Sequence, residues 1–362
     1  MVNELVPGDV LVAFCRNPTT CTVTILGFGN INDTYLVRSA SRSFVLQRIN
    51  SDVFPEPLRV IENFQKITNH LARKREGLGR RLQVAVPVLT IEKRLFYRET
   101  TGAFWRGQSY LPHKSCRVLA GPNQAHQVGA ALASFHRLVG DLDVQGFLDP
   151  LPGFHNLPRY LQDYDREMQS ISTAASKEFR SCLTAIERYR QQAANLEKAK
   201  HAGILTIQPI HGDPKVDNFL FGDQGEVLGL LDLDTVAMGL VHHDLGDCLR
   251  SCCNRVGEAG GDAMPVTFDL DFCQALLDGY FSGPDKLLSK EQRAYIFDGV
   301  LLICFELGVR FFTDHLRGNP YFKVQRDGDN LLKAINQFRL ADDIAESEPE
   351  IRVMAMSSGL NF

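Results

Sequence analysis

The sequence predicts an α+β protein with two lobes, the first rich in β-strands and the second mainly helical. Short β-branched runs separated by turn residues fill 1–110, and apolar residues at helical spacing dominate 111–362. Strands and helices that are segregated along a chain favour an α+β architecture over an alternating α/β sheet. A chain of 362 residues is also long enough for two domains. We therefore expect a β-rich unit at 1–110 and a mainly helical unit at 111–362.

The first unit is predicted to begin as a meander of strands. Runs of β-branched and aromatic residues alternate with turns, of which 27–30 is the clearest because Gly tolerates positive φ angles. Pro57 then opens an amphipathic helix, since proline favours the first helical turn and apolar residues follow at helical spacing. The predicted strands cover 22–25, 34–38, 43–49, 84–89, 94–100 and 104–111.

The second unit is predicted to be helical apart from one short strand pair. An apolar helix is expected at 128–139, and polar helical patterns with a charged outer face cover 158–200. Two short β-like runs, 219–222 and 227–231, surround a Gly-Asp-Gln-Gly turn. From 243 to 340 the pattern is again helical. In this order, the segment 210–235 lies between helical regions, and any catalytic loop is expected there.

The charge balance argues against nucleic acid as the main partner. The chain has 39 Lys and Arg residues against 43 Asp and Glu, whereas a phosphate-binding surface needs a basic surplus. The nine cysteines are scattered and odd in number, which does not indicate a disulfide framework. The sequence begins without a signal-peptide pattern, and no run approaches about 18 apolar residues. We expect a cytoplasmic protein with small-molecule partners and no membrane span, either a monomer or a weak homo-oligomer.

The segment most informative about function is Ile-His-Gly-Asp-Pro-Lys-Val-Asp-Asn at 210–218. Its His-x-Asp-x4-Asn spacing is that of kinase-type catalytic loops, in which Asp213 would accept or orient a hydroxyl proton and Asn218 would offer an oxygen to Mg²⁺. A second acidic element, Leu-Asp-Leu-Asp-Thr, ends a predicted strand. Asp232 is the first candidate for the metal and Asp234 the second. Alternation along an extended strand would place both carboxylates on one face.

These motifs resemble those of the aminoglycoside/choline kinase-like phosphotransferase family, and within it most resemble the bacterial N-acetylhexosamine 1-kinases. The resemblance implies a bilobal protein-kinase-like fold with ATP in the cleft between the lobes. It also implies Mg²⁺-dependent transfer of the γ-phosphoryl group to the anomeric hydroxyl of N-acetylglucosamine or N-acetylgalactosamine, with Asp213 as the base. The matching stretches are 29–35, 44–50, 53–55, 134–136, 151–155, 210–220, 231–235, 306–311 and 321–322.

The resemblance implies a nucleotide site built from the Gly-rich turn, the third strand and the linker between the lobes. The third strand lacks the Lys of protein kinases and offers Gln47 and Arg48, of which alternation points only one into the cleft. We expect Arg48 to pair with Glu62 and to copy the Lys–Glu brace of kinases. The linker would bind the adenine edge through its backbone. The predicted nucleotide contacts are Gly29, Asn30, Ile31, Asn32, Thr34, Arg48, Glu62, Gln108 and Leu111.

The acceptor site is expected beside the catalytic loop. In the sugar 1-kinases an Arg and a Tyr from the late helical region bind the sugar, and Arg310 and Tyr321 occupy the matching positions. A guanidinium can hold two hydroxyls or an amide carbonyl in a fixed fork. The alternative for Arg310 is a structural pair with Glu306, and the alternative for Asp33 is a turn cap. The predicted acceptor contacts are Asp33, Phe154, His155, Arg310 and Tyr321.

A cluster of ionisable residues at 242–247 allows two interpretations. His242, His243, Asp244 and Asp247 would form a second metal site in one of them. In the other, which we favour, Asp244 accepts hydrogen bonds from the catalytic-loop backbone and Asp247 pairs with Arg250 at helical spacing.

Three rival functions are considered, and one of them, a catalytically dead nucleotide-binding module, is argued against by the intact Asp213, Asn218 and Asp232. The other two stay open. The first is a kinase for another hydroxyl acceptor, of the aminoglycoside, choline, homoserine or ethanolamine type. A cationic acceptor needs an acidic or aromatic pocket, which a pocket centred on an arginine argues against. The second is a metal-dependent phosphohydrolase that would need no ATP. Its site would be built from His211, Asp213, Asp232, Asp234 and His243.

Overall fold

The computed structural model confirms the α+β class, with an antiparallel sheet in the first part of the chain and mainly helices in the rest. The predicted nucleotide contacts Gly29 and Asn30 lie outside the described residues. The division into units at 1–110 and 111–362 remains a prediction. The structure describes residues 5–26, 31–40, 42–74, 82–112, 116–171, 176–258, 265–284 and 286–359.

The sheet has six antiparallel strands in the order β1-β2-β3-β6-β4, and β5 also pairs with β6. A helix that the sequence analysis did not predict, α1 (Gly8–Phe14), packs on it and shares a small core with Phe44 and Trp105. The strands are β1 (Thr22–Ile25), β2 (Asp33–Arg38), β3 (Ser43–Ile49), β4 (Pro87–Val88), β5 (Phe96–Arg98) and β6 (Phe104–Ser109).

The fourth strand is much shorter than the predicted 84–89 because the chain before it pairs elsewhere. The backbone N–H of Gln83 donates to the carbonyl of Leu228 at 2.9 Å, so this segment joins a hairpin of the helical part. Val84 is buried in the large core that the helices share. The last predicted strand ends at Ser109, short of the predicted 111.

The helix after the sheet meander begins at the predicted proline. This helix, α2 (Pro57–Lys74), buries an apolar stripe that includes Val60, Phe64 and Ile67. It contacts both the helix that follows the sheet and the turn at 233–235. The same helix therefore lies against the sheet and against the loops that carry the predicted chemistry.

The remainder of the chain is a helical body with two short strand pairs. The pair β7–β10 was not predicted, and it frames the start and the end of the predicted catalytic segment. None of the helices in the described ranges combines the length and apolar character needed to cross a bilayer. The helices are α3 (Pro122–Val139), α4 (Leu157–Met168), α5 (Lys177–Tyr189), α6 (Asn195–His201), α7 (Val241–Cys252), α8 (Leu270–Phe281), α9 (Lys290–Arg293), α10 (Ile296–Leu316), α11 (Asp329–Glu346) and α12 (Glu348–Ser357). The strands are β7 (Ile207–Ile210), β8 (Phe219–Phe221), β9 (Val227–Leu230) and β10 (Ala237–Leu240).

Candidate functional site

The predicted catalytic loop leaves β7 and turns sharply at Gly212. This glycine has φ +87°, and a Cβ there would lie 2.7 Å from the carbonyl oxygen of Thr235, so a larger residue does not fit. Asp213 follows with a partly exposed side chain. The buried Asn218 donates through Nδ2 to the Asp213 carbonyl at 2.7 Å and to its carboxylate at 2.9 Å. The two predicted side chains therefore meet, and the carboxamide oxygen of Asn218 is left for another partner.

A buried carboxylate holds the loop from behind. Asp244 on α7 accepts the backbone N–H groups of His211 and Gly212, both at 2.7 Å, which confirms the interpretation favoured from the sequence. His136 adds a third contact at 2.8 Å. Burial opposes ionisation of Asp244, but these hydrogen bonds and the nearby imidazoles hold its pKa below the ordinary value. The charge of Asp244 is thus stabilised by the loop that it positions.

His211 supports the loop and does not enter the reaction site. Its Nε2 atom lies 2.9 Å from the carbonyl of Leu231, and its Nδ1 accepts the N–H of Asp213 at 3.3 Å. Both ring nitrogens are therefore engaged by backbone groups. Lys215 lies on the open side of the loop, 3.1 Å from the Asp213 carboxylate. Burial opposes its charge, yet the carboxylates around it, Asp213 first, raise the pKa of Lys215 above its ordinary value.

The two acidic residues after β9 do not share a strand face, which corrects the prediction. The strand ends at Leu230, Asp232 adopts a left-handed conformation with φ 57°, and 233–235 form a tight helical turn. Asp234 is consequently turned inward, where Arg106 donates to one of its oxygens and Asn32 to the other at 2.8 Å. Asp232 stays exposed to solvent.

The oxygen donors that remain fit a divalent cation. Although Asp232 is exposed on one side, loss of water around its carboxylate raises its pKa to about 7, and the carboxylates of Asp234 and Asp213 add to the shift, so negative charge is crowded there. Asn218 and Asp232 would hold Mg²⁺, which typically takes one or two protein oxygens and completes its shell with water and phosphate. Asp234 remains the second candidate, since each of its oxygens already accepts one hydrogen bond, from Asn32 and from Arg106.

The buried cation of this region is Arg106, which the sequence analysis missed. It lies on β6 opposite Gln47 of β3, and its Nε and a terminal nitrogen donate to the side-chain oxygen Oε1 of Gln47 at 3.0 and 2.6 Å. Its guanidinium also lies 4.8 Å from the ring centre of Phe64 on α2. The available signal was a single arginine inside a predicted strand.

The predicted brace between Arg48 and Glu62 is wrong. Gln47 points inward, where it also donates to Thr34 at 3.2 Å, so strand alternation turns Arg48 outward. Arg48 instead lies 3.8 Å from Asp33, and both side chains are about half exposed. Glu62 is exposed and forms no ion pair with Arg48 within the described residues.

The other predicted nucleotide contacts lie in or beside β2 and β6. Asn32 connects the sheet to the acidic turn: its Oδ1 accepts the N–H of Asn50 at 2.9 Å, and its Nδ2 donates to Asp234. Ile31 lines the cavity beside the catalytic loop. Gln108 lies inside β6 with strands on both sides, so its backbone is not a free linker edge. Leu111 follows the strand and is half-buried.

Most of the predicted acceptor contacts come together in one cavity beside Asp213. This cleft encloses about 620 Å³ of space, continuous with solvent. Arg310 is surrounded by aromatic rings, and its terminal nitrogen donates to the Tyr321 hydroxyl at 3.2 Å. Asp33 does not line the cavity, because it pairs with Arg48 and with Lys323 at 2.9 Å. The rings whose centres lie within 5.5 Å of the Arg310 guanidinium are those of Phe154, Tyr160, Tyr321 and Phe322.

Glu306 pairs with His155 and not with Arg310, which corrects the structural alternative for that arginine. The His155 ring contacts the Glu306 carboxylate at 3.1 Å and the Gly212 carbonyl at 2.8 Å. Burial disfavours the charged ring, but the Glu306 carboxylate outweighs it and raises the pKa of His155 above the ordinary value. Both ring nitrogens of His155 face oxygen atoms, so each donates a hydrogen bond. The ring thereby links Glu306 of the cavity to the catalytic loop at Gly212.

The cluster proposed for a phosphohydrolase does not form. His243 stacks on the His155 ring at 4.9 Å, and burial lowers its pKa well below the ordinary value. His211 and Asp234 already have hydrogen-bond partners, as described above. In the described parts of the chain, no three His, Cys, Asp or Glu side chains are grouped so that they could hold a metal by themselves.

Three solved structures illustrate the fold that the chain shares. An aminoglycoside phosphotransferase from Alicyclobacillus acidocaldarius has a TM-score of 0.64 at 14% identity and covers 97% of this chain and 98% of that one. A choline kinase from Cryptosporidium parvum has a TM-score of 0.59 at 10% identity, with coverages of 92% and 90%. Amicoumacin kinase, in complex with AMP-PNP, Ca²⁺ and its acceptor, has a TM-score of 0.57 at 17% identity, with coverages of 91% and 89%. At these identities the likeness concerns the fold alone.

The sequence itself matches a family model over most of its length. The model describes the phosphotransferase enzyme family and matches residues 22–286, a span that includes the catalytic loop and the acidic turn after it. This match and the kinase-like α+β fold agree. The protein therefore belongs to the phosphotransferase enzyme family.

Proposed function

We propose that the protein is an ATP- and Mg²⁺-dependent kinase that phosphorylates the anomeric hydroxyl of an N-acetylhexosamine. One observation carries the choice of acceptor. Arg310 lies in the cavity beside Asp213, bonded to the Tyr321 hydroxyl, and has no carboxylate partner among the described residues. The nucleotide would lie against the sheet near Ile31, Thr34 and the linker at Leu111. Resemblance to the sugar 1-kinases supports the same choice.

The charges in the cavity favour a neutral acceptor over a cationic one. The carboxylates that line the cavity contact cationic side chains. These contacts are Asp213 with Lys215, Glu306 with His155, and both Asp247 and Glu258 with Arg250. With Arg310 added, acidic and basic side chains of the lining are equal in number, so the cavity has no excess of negative charge to attract choline or a polyamine. The donors of Arg310 suit sugar hydroxyls or the carbonyl of an N-acetyl group.

The loop residues divide the chemistry between them. Asp213 would accept the proton of the attacking hydroxyl as its oxygen bonds to the γ-phosphorus and the bond to the β-phosphate oxygen breaks. Asn218 and Lys215 hold that carboxylate from two sides, which fixes its direction before the reaction. A bound Mg²⁺ would supply positive charge against the phosphates. An anomeric hydroxyl is more acidic than an ordinary alcohol, so a carboxylate suffices as the base.

The proposal is tested with a panel of free acceptors, ATP and Mg²⁺. N-acetylglucosamine and N-acetylgalactosamine are compared with choline, ethanolamine, homoserine and an aminoglycoside, and ADP release is measured for each. Phosphorus NMR of the product then locates the phosphate, which should lie on the anomeric carbon. The matched control is Asp213→Asn, which should release ADP at least about a hundredfold more slowly than wild type. Turnover of a cationic amine with inert sugars would overturn the choice of acceptor but not the assignment as a kinase.

A further inference from the structure

One carboxylate oxygen in the acceptor cavity has no hydrogen-bond partner in the described chain. Asp247 on α7 is 5% exposed and lines the cavity together with Asp213 and Arg310. Its Oδ2 atom is buried without a donor. Because buried acceptors in native proteins are almost always satisfied, this atom calls for a partner outside the described residues.

The pairing of Asp247 with Arg250 explains why this oxygen is left over. Nε of Arg250 donates to Oδ1 of Asp247 at 2.8 Å, and a terminal nitrogen lies 2.8 Å from the same Oδ1. A guanidinium often engages a carboxylate through two parallel bonds, one to each oxygen. Here both contacts go to one oxygen. The same terminal nitrogen also lies 3.7 Å from Glu258, and the other terminal nitrogen lies 3.4 Å from Gln337. The second oxygen is thus held in place but unused.

We propose that Oδ2 of Asp247 accepts a hydrogen bond from a non-reacting hydroxyl or amide N–H of the phosphoryl acceptor and so selects it. This inference rests on the proposed function, since it assumes that the cavity holds the acceptor. Arg310 offers donors and Asp247 offers an acceptor, so the two are complementary to a ligand that carries both kinds of group. A sugar meets this requirement, whereas an acceptor whose single hydroxyl is consumed in the reaction has no donor left for Asp247.

The test compares wild type and Asp247→Asn with the best acceptor of the panel and with its monodeoxy analogues. Asparagine keeps an oxygen for Arg250 but removes the charged acceptor. We expect the KM for the acceptor to rise about ten- to hundredfold, with the KM for ATP unchanged. For wild type, we also expect one deoxy analogue to have a higher KM than the parent sugar. For Asp247→Asn, the same analogue and the parent sugar should have equal KM values. This pattern identifies the group that contacts Asp247.

Asp298→Asn is the matched control. Asp298 is a largely buried aspartate on α10 that lies outside the cavity, and it pairs with Asn195 and Arg352. The control should leave both KM values at the wild-type level. An equal loss by Asp247→Asn with all analogues would overturn the contact. If the variant does not fold, wild type alone decides, since equal turnover of every deoxy analogue contradicts the proposal. Wild type inactive with all sugars would instead refute the proposed function.

Discussion

Replacing Arg106 with Met should destabilise the protein more than any surface change in the sheet. The substitution keeps most of the side-chain volume but leaves Asp234 buried with only the Asn32 amide to oppose its charge. It also removes the two hydrogen bonds to the side-chain oxygen of Gln47. Removing one member of a buried ion pair typically costs about 3–5 kcal/mol, and we expect a loss of that size.

The same change should weaken nucleotide binding. Arg106 holds the turn at 233–235 against the sheet, and Asp232 begins that turn in a left-handed conformation. Once the turn is released, Asp232 no longer has a fixed direction. We expect the KM for Mg·ATP to rise about tenfold or more, with a smaller change in the acceptor KM.

Urea unfolding followed by far-ultraviolet circular dichroism measures the stability, and steady-state kinetics measure both KM values. The control is Arg98→Met, because Arg98 on β5 is exposed and its guanidinium lies over the ring of Phe104 at 5.3 Å, with no ion pair to another described residue. It should shift stability by no more than about 0.5 kcal/mol. The double variant Arg106→Met/Asp234→Asn should regain about 1–3 kcal/mol over the single one, since no buried charge is left unpaired. Strictly additive losses, or a single variant as stable as the control, would refute this reasoning.

The remaining predictions concern the loop, the acceptor and the buried thiols. Asp213→Asn should lower kcat about 10²- to 10⁴-fold while ADP affinity by calorimetry stays at the wild-type value; unchanged kcat would exclude Asp213 as the base. Arg310→Gln should raise the acceptor KM about tenfold or more without changing the KM for ATP, and a change confined to ATP would contradict its role. Asp244→Asn should lower the free energy of unfolding by about 3–5 kcal/mol, because a neutral amide replaces a carboxylate that accepts two loop N–H groups. This contribution should be full above the ordinary aspartate pKa of 3.8 and shrink as pH falls through the lowered value of the folded state; a difference that does not shrink would refute it. Burial raises the pKa of Cys182 to about 12, so its thiol should stay unreactive toward a disulfide reagent at about pH 8 in the native protein and react only after unfolding.

The sequence by itself determined the parts of the site whose spacing is local. The loop that brings Asp213 to Asn218 spans few residues, so its chemistry follows from the order of side chains. Asp247 and Arg250 are one helical turn apart, and their pairing was correctly predicted from that spacing. The support of the loop backbone by Asp244 was also anticipated, because the helix that carries it follows the loop closely in the chain.

Only the tertiary structure decided the contacts between distant segments. Arg106 and Asp234 are 128 positions apart, and their contact depends on which strand pairs with which and in what register. The same holds for His155 and Glu306, which are 151 positions apart. The sequence does not show which carboxylate an arginine or a histidine will pair with, because the pairing depends on how whole helices and strands pack. The resulting burial then sets the cost of leaving any of these charges unpaired.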